Sequence, residues 1–280
     1  MVRIVSDTST LYSTTQALEA GFDVAPLSVT IAGKTYREFD EISADEFVAI
    51  IRQGNMPTSS QPALGMVTDN YEKYPEDEIV HIAMADGLSG TYNGACAAAD
   101  LVENSDRITV INSATLCGPH RYMVEKAVEW AKEGLGKEEI LARLDKLIHQ
   151  QKSYLMPDDF GYLRRGGRLS PLVAFVGQAG GLAPIMTQTE DGKQLIIAGI
   201  RRGFANAIKQ VAKNLQSAGV GAGWRVYVTH GAAMEKAEKA VELLKEVLPD
   251  ANYEIHPLSP AFITQGGPSC VAVQYIKEME

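Results

Sequence analysis

The chain has 280 residues, of which 45% are hydrophobic and 22% charged, and a net charge of −9. That size allows one large domain or two ordinary ones with a core of useful size, and the charge makes an anionic polymer such as nucleic acid a poor partner. No apolar run approaches the ~18 residues of a membrane span, and the opening MVRIVSDTST has no apolar core of a signal peptide, so a cytoplasmic protein is expected. In chain order, VRIVSD reads as a buried strand ending at Asp7, and STLYSTTQALEAG as a helix closed by Gly21. DVAPLSVTIAGKTY reads as two strands around a Gly33-Lys34 turn. SADEFVAIIRQG carries a Ser43/Glu46 capping box and a glycine stop, which predicts a helix. The apolar runs at 79–85 and 107–114 predict two strands with a helix from about 90 to 102 between them, a unit that requires parallel strands. Helices are predicted at 118–133 and 137–151, and a glycine-dense, loosely helical stretch at 157–186. Then follow strand QLIIAG, helix FANAIKQVAKNLQ, strand WRVYVTHG, helix MEKAEKAVELLKEVL and two closing strands, NYEIHPL and SCVAVQYI. This alternation predicts an α/β fold of two α/β subdomains, residues 1–160 and 161–280, with the change near the glycine-rich 161–181.

Four turns join structure breakers to hydroxyls: SDTST (6–10), PTSSQPALG (57–65), GLSGTY (87–92) and TQGGPS (264–269). Each is expected near a strand end or helix start, where open α/β sheets bind ligands and free N–H groups hold anionic oxygens. Ser89, Gly90 and Thr91 form a candidate anion cradle, although Ser and Thr are also ordinary helix caps and Ser59 and Ser60 can simply shape a turn. Common catalytic signatures fail. Thr91 stands where G-x-S-x-G needs its last glycine, AGKT lacks the first P-loop glycine, and GVGAGW lies before a strand rather than after one. Cys96, Cys117 and Cys270 are widely spaced, fitting a reducing compartment, and with no C-x-x-C and scattered histidines no metal is expected. The basic stretches LRRGGRLS (163–170) and IRRGF (200–204) stand out on an acidic chain. Arg168 and Arg202 there suit a phosphate or an acidic partner surface, and equally an ordinary solvated loop.

Taken together, IVSDTSTL, TSSQPALG, GLSGTYNGA, FGYLRRGGRLS and TQGGPS resemble the DegV family, whose characterised members are fatty-acid-binding proteins of bacterial fatty acid kinases. The resemblance implies a cytosolic carrier, not itself an enzyme and without a cofactor, that buries one long-chain fatty acid between two α/β subdomains. A kinase subunit would phosphorylate the bound carboxylate to an acyl phosphate. Carried over, the carboxylate contacts fall on Ser59 and Ser89, with Gly90 supplying backbone and Ser60 and Thr91 beside them. A family histidine corresponds to Gln265 and a glycine to Ser269; glutamine donates a hydrogen bond but carries no proton as imidazole does. Arg168 and Arg202 would face the kinase or its phosphate. The tail would lie beside the small residues Ala95, Ala97, Ala98 and Ala99 and along SPLVAFVGQAGGLAPIM (170–186). Burial at roughly 0.8 kcal/mol per methylene lets a ~16-carbon tail outweigh desolvation of the head. Two other readings remain: a hydrolase or transferase using Asp7, Ser89 and His230, for which no base stands beside Ser89 in sequence, and a lipid sensor.

Overall fold

The β-branched run after Met1 makes strand β1 (Val2–Asp7), and the Asp7 side chain caps a 3-10 turn at Thr8–Thr10 by accepting the Ser9 N–H. In this computed structural model, which describes residues 1–170 and 181–279, helix α1 (Thr14–Ala20) starts only at a Ser13/Gln16 capping box and stops at left-handed Gly21. It is therefore shorter than the predicted helix, because Ser9 and Thr10 belong to the 3-10 turn, which Thr10 closes by donating its hydroxyl to Asp7 O at 3.0 Å. Strands β2 (Asp23–Ala25), β3 (Ser28–Ile31) and β4 (Lys34–Arg37) follow, and then α2 (Ala44–Arg52), opened by the expected Ser43/Glu46 box. Next come β5 (Thr58–Ser60), α3 (Leu64–Glu72), β6 (Glu78–Ala83), α4 (Thr91–Ala99) and β7 (Ile108–Asn112). The middle of the chain holds α5 (Cys117–Lys132), α6 (Lys137–Ile148), β8 (Gln151–Met156) and α7 (Phe160–Gly166). The rest is β9 (Leu182–Gln188), β10 (Leu195–Arg202), α8 (Phe204–Ser217), β11 (Trp224–His230), α9 (Met234–Lys245), β12 (Asn252–Pro257), α10 (Pro260–Gly266) and β13 (Val271–Lys277).

Three sheets organise these elements. The first is parallel, in the order β2-β1-β6-β7, as the strand–helix–strand unit at 79–114 required. The second is mixed, in the order β10-β9-β8-β13-β11-β12. The third is a small antiparallel sheet, β4-β3-β5. Strand β9 corrects part of the loosely helical expectation for 157–186: Leu182–Gln188 pairs with β10 and β8, and α7 alone is helical among the described residues there. Strand β8 lies before the expected division at 160 yet pairs within the second sheet, so the sheet changes by residue 151.

Each half has a core cluster of its own, and two further clusters cross between them. One cluster packs Tyr122, Met123, Val128 and Trp130 of α5 with Tyr227 of β11 and Ile276 of β13. Another joins Leu27, Val29, Ile31 and Phe47 to Leu258, Phe262 and Ile263 near the other end of the chain. Gly118 shows how close the approach is, since a Cβ there would sit 2.1 Å from Cγ of Tyr227. In the parallel sheet the chain leaves β1 toward β2 on one side and returns as β6 on the other. The carboxyl ends of β1 and β6 therefore form a switch point, where such sheets open a crevice. The Met84 N–H donates to Asp7 Oδ2 at 3.0 Å and ties these two strand ends together.

Candidate functional site

Two contiguous spaces open beside this switch point. The first is an apolar cavity of about 100 Å³. Met84, Leu88, Leu155, Leu163, Met186 and Phe262 are among the side chains on its wall. The second is a more polar space of about 290 Å³, where Ser59, Ser60, Gln61, Ser89, Gly90 and Gln265 converge. Met84, Leu88, Arg168, Phe262 and Gln265 line both, so the polar space is the continuation of the apolar one.

Each polar residue arrives on a different element. Ser59 and Ser60 sit on β5, the edge strand held by β3, with Ser59 opposite Val29. Ser89 ends the loop after β6, and its Oγ accepts the Thr91 N–H at 3.2 Å while bonding the Thr91 hydroxyl at 2.7 Å. Ser89 is thus both the cap of α4 and a group in the polar space. Thr91 is buried, does not line that space, and acts through Ser89. Gly90 has ordinary helical dihedrals, but a Cβ on it would lie 2.0 Å from Gln61 Oε1. The tip of the Gln61 side chain lies across the glycine. Gln265 ends α10, donates from Nε2 to Ser59 Oγ at 3.2 Å, and thereby bridges β5 and the C-terminal half. Its Oε1 is buried without a hydrogen-bond partner among the described residues, close against Gly166, where a Cβ would come within 1.9 Å.

The two arginines separate. Arg168 is half-buried where the two spaces meet; its Nε donates to Leu88 O at 3.2 Å and its Nη1 to Gly166 O. It forms no ion pair among the described residues, so two carbonyls fix a guanidinium whose charge is unspent. Arg202 is exposed at the end of β10, in a surface hollow with Arg201, Lys209 and Lys213. The other groups named from the sequence lie elsewhere. Ala95, Ala98 and Ala99 pack against Val5, Val67, Tyr71 and Ile79, and Ala97 is exposed, so these alanines close a helix–sheet contact and do not flank the cavity. Of SPLVAFVGQAGGLAPIM, residues 171–180 lie outside the described residues, and Met186 lines the cavity.

The trio Asp7, Ser89 and His230 is not assembled. The Asp7 carboxylate is spent on the Ser9 and Met84 N–H groups, and His230 Nδ1 accepts the Ala233 N–H at 3.1 Å beyond β11. No hydrogen bond joins any two of the three among the described residues, so the base-beside-nucleophile geometry of a catalytic serine is missing. Among the described residues no cluster of His, Cys, Asp and Glu could hold a metal ion, and no helix is long and apolar enough to cross a membrane. Reading the sequence missed Gln61, Leu88 and the whole of α10 with Phe262. The Ser259-Pro260 pair, a common helix start, was the available signal for α10.

Comparison with known families matches residues 1–278 to the one described as "Uncharacterised protein, DegV family". A DegV domain-containing protein of Listeria monocytogenes is 30% identical over 279 residues, covering 98% of this chain and 98% of that protein. The crystal structure of DegV, a fatty acid binding protein from Bacillus subtilis, superposes with a TM-score of 0.86 at 27% identity, covering 99% of each chain. A DegV family protein from Thermus thermophilus, described for its fatty acid binding, superposes with a TM-score of 0.88 at 26% identity, again covering 99% of each.

Proposed function

The chain belongs to the DegV family, and on that premise we propose that it binds a long-chain fatty acid with the tail in the apolar cavity and the carboxylate in the polar space. The observation that carries this reading is the continuity of the two spaces. An apolar cavity that opens into converging hydroxyl, amide and guanidinium donors fits a ligand with one anionic end and a long hydrocarbon. At roughly 0.8 kcal/mol per methylene, the tail supplies the affinity. The hydroxyls of Ser59, Ser60 and Ser89 and backbone at Gly90 supply fixed donors for the head. Arg168 supplies the countercharge, and Gln265 orients Ser59 by giving it a proton to accept, which leaves the serine's own proton free for the ligand.

On this reading the bound carboxylate is the group a kinase subunit would convert to an acyl phosphate, with this chain as the presenting carrier in the cytoplasm. Arg202 stands apart from the cavity, with three other cations around it, on a chain of net charge −9. A docking role toward a partner's acidic surface or phosphate suits it better than a ligand contact. Native mass spectrometry of the protein purified from a bacterial host tests the central claim. The expected result is a retained species with the mass of a ~16–18-carbon acid, the length at which tail burial is large. Protein that carries no lipid and takes up neither palmitate nor oleate would overturn it.

A further inference from the structure

Glu38 is fully buried, sits directly after β4, and is tied to a helix 223 positions later in the chain. Its Oε1 accepts the Thr8 hydroxyl, and Thr8 Oγ1 in turn accepts the Leu27 N–H at 3.0 Å. Its Oε2 accepts the Ala261 N–H at 2.9 Å. Ser259 is the N-cap residue of α10, yet its own side chain caps no N–H there. Glu38 takes over that task from another part of the chain. Its own N–H donates to Leu27 O at 3.0 Å, which fixes it to the segment entering β3.

No Lys, Arg or His pairs with Glu38 among the described residues. The titratable groups facing it are Asp7 at the end of β1 and the Cys117 thiol at the start of α5. Burial pushes its carboxyl up to about 7, against the pull of the Thr8 and Ala261 donors, with Asp7 adding to the rise. A buried carboxyl without a cation costs free energy wherever it stands, so a geometric role is the better account of its placement.

The geometry supplies such a role. One wall of the polar space is β5, carrying Ser59 and Ser60 in the sheet β4-β3-β5; the facing wall is α10, carrying Phe262 and Gln265. The walls are joined on the cavity side by Gln265–Ser59, and a second time through Glu38. We infer that Glu38 is a positioning residue of the head-group site: by locking α10 against the three-stranded sheet it sets the separation of Ser59 from Gln265 and Phe262, and so favours a free carboxylate over a bulkier esterified head. This rests on the fatty acid reading above.

The test compares palmitate with methyl palmitate, by displacement of a fluorescent fatty acid well below each variant's unfolding temperature. Glu38→Gln keeps the reach and an acceptor for the Ala261 N–H, and its amide can donate to Thr8. Glu38→Asp keeps the charge but is one methylene too short to span both partners. The ester-to-acid ratio of Kd is expected to stay within about threefold of wild type in Glu38→Gln and to fall about tenfold in Glu38→Asp. Thr8→Val, which removes the other anchor of Glu38, moves the ratio the same way and stands in if Glu38→Asp does not fold. A wild-type ratio in both Glu38→Asp and Thr8→Val overturns the inference alone, as does a uniform loss of both ligands in all three variants. Wild-type protein that binds neither ligand overturns the fatty acid reading and this inference with it.

Discussion

Ser89 shares one hydroxyl between two tasks, capping α4 through the Thr91 N–H and lining the polar space. Removing it takes a hydrogen bond from a charged head group, worth about 1.5–3 kcal/mol, or roughly 10- to 150-fold in Kd. Ser89→Ala is expected to show that loss by fatty-acid displacement while the protein stays folded, because Gly90 and Thr91 still start the helix. The two arginines should divide just as their positions do. Arg168→Ala removes a guanidinium that has no ion pair among the described residues at the joint of the two spaces, so its Kd should rise about tenfold or more. Arg202→Ala should leave Kd within about twofold, as expected of an exposed charge, and slow acyl phosphate formation in a reconstituted phosphorylation assay with the kinase subunit. Equal loss of lipid binding in both mutants would place Arg202 in the pocket. Glu38 adds a signature in stability. Its folded pKa is raised to about 7 from an ordinary 4.5, so between these values the folded state holds more protons and is weakened as pH rises. Burial depresses His81 to about 4, which has the opposite sign: that contribution is lost as pH falls from 6.5 toward 4. Glu38→Gln removes only the first effect. Its stability relative to wild type, from urea titrations, should therefore rise between about pH 4.5 and 7 and then level off.

At the scale of elements, the β9–β10 hairpin is held against the head-group loop by backbone contact. A Cβ on Gly87 would sit 2.1 Å from Cα of Lys193, and Lys193 pairs with Asp86 beside it. Backbone cannot swing aside as a side-chain tip can, so Gly87→Ala must push the hairpin tip away. Overpacking of this kind costs about 1–3 kcal/mol, visible as a lowered Tm. Because Met186, Thr187, Gln188 and Leu195 of this hairpin line the cavity, fatty acid affinity should fall as well. A variant with wild-type Tm and affinity would show that the contact yields freely. Helices α2 and α4 were legible because their start signals are local, whereas β5 and α10 were not. β5 is three residues of an edge strand, and α10 is seven residues whose N-terminal acceptor, Glu38, comes from the other end of the sequence.

For the whole molecule, the shared clusters decide how it unfolds. Each half has a cluster of its own, but Tyr227 and Ile276 pack with α5, and Phe262 and Ile263 pack with the strands and helix of residues 27–51, so two further clusters tie the halves together. Thermal unfolding is expected as one transition seen alike by fluorescence and circular dichroism. Two separated transitions would mean that the halves are independent. A ligand that binds only the folded state adds RT ln(1 + [L]/Kd), about 2.7 kcal/mol at a hundredfold excess over Kd. Stripping the bound lipid should therefore lower Tm, and refilling with palmitate should restore it.

The sequence by itself determined the α/β alternation, the parallel unit at 79–114, the helix caps at Ser43 and Gly21, and four hydroxyl turns of which three reach one polar space. These follow from periodicity and from groups that bond within a few residues, which is information a chain carries locally. Tertiary structure decided that Arg168 faces inward and Arg202 outward, that the alanines of α4 pack a helix onto a sheet, and that Gln61 lies over Gly90. It also decided that a glutamate at 38 caps a helix at 260. Each of these depends on which surfaces meet when two sheets and their helices pack together, and that meeting joins residues whose separation along the chain leaves no periodic trace.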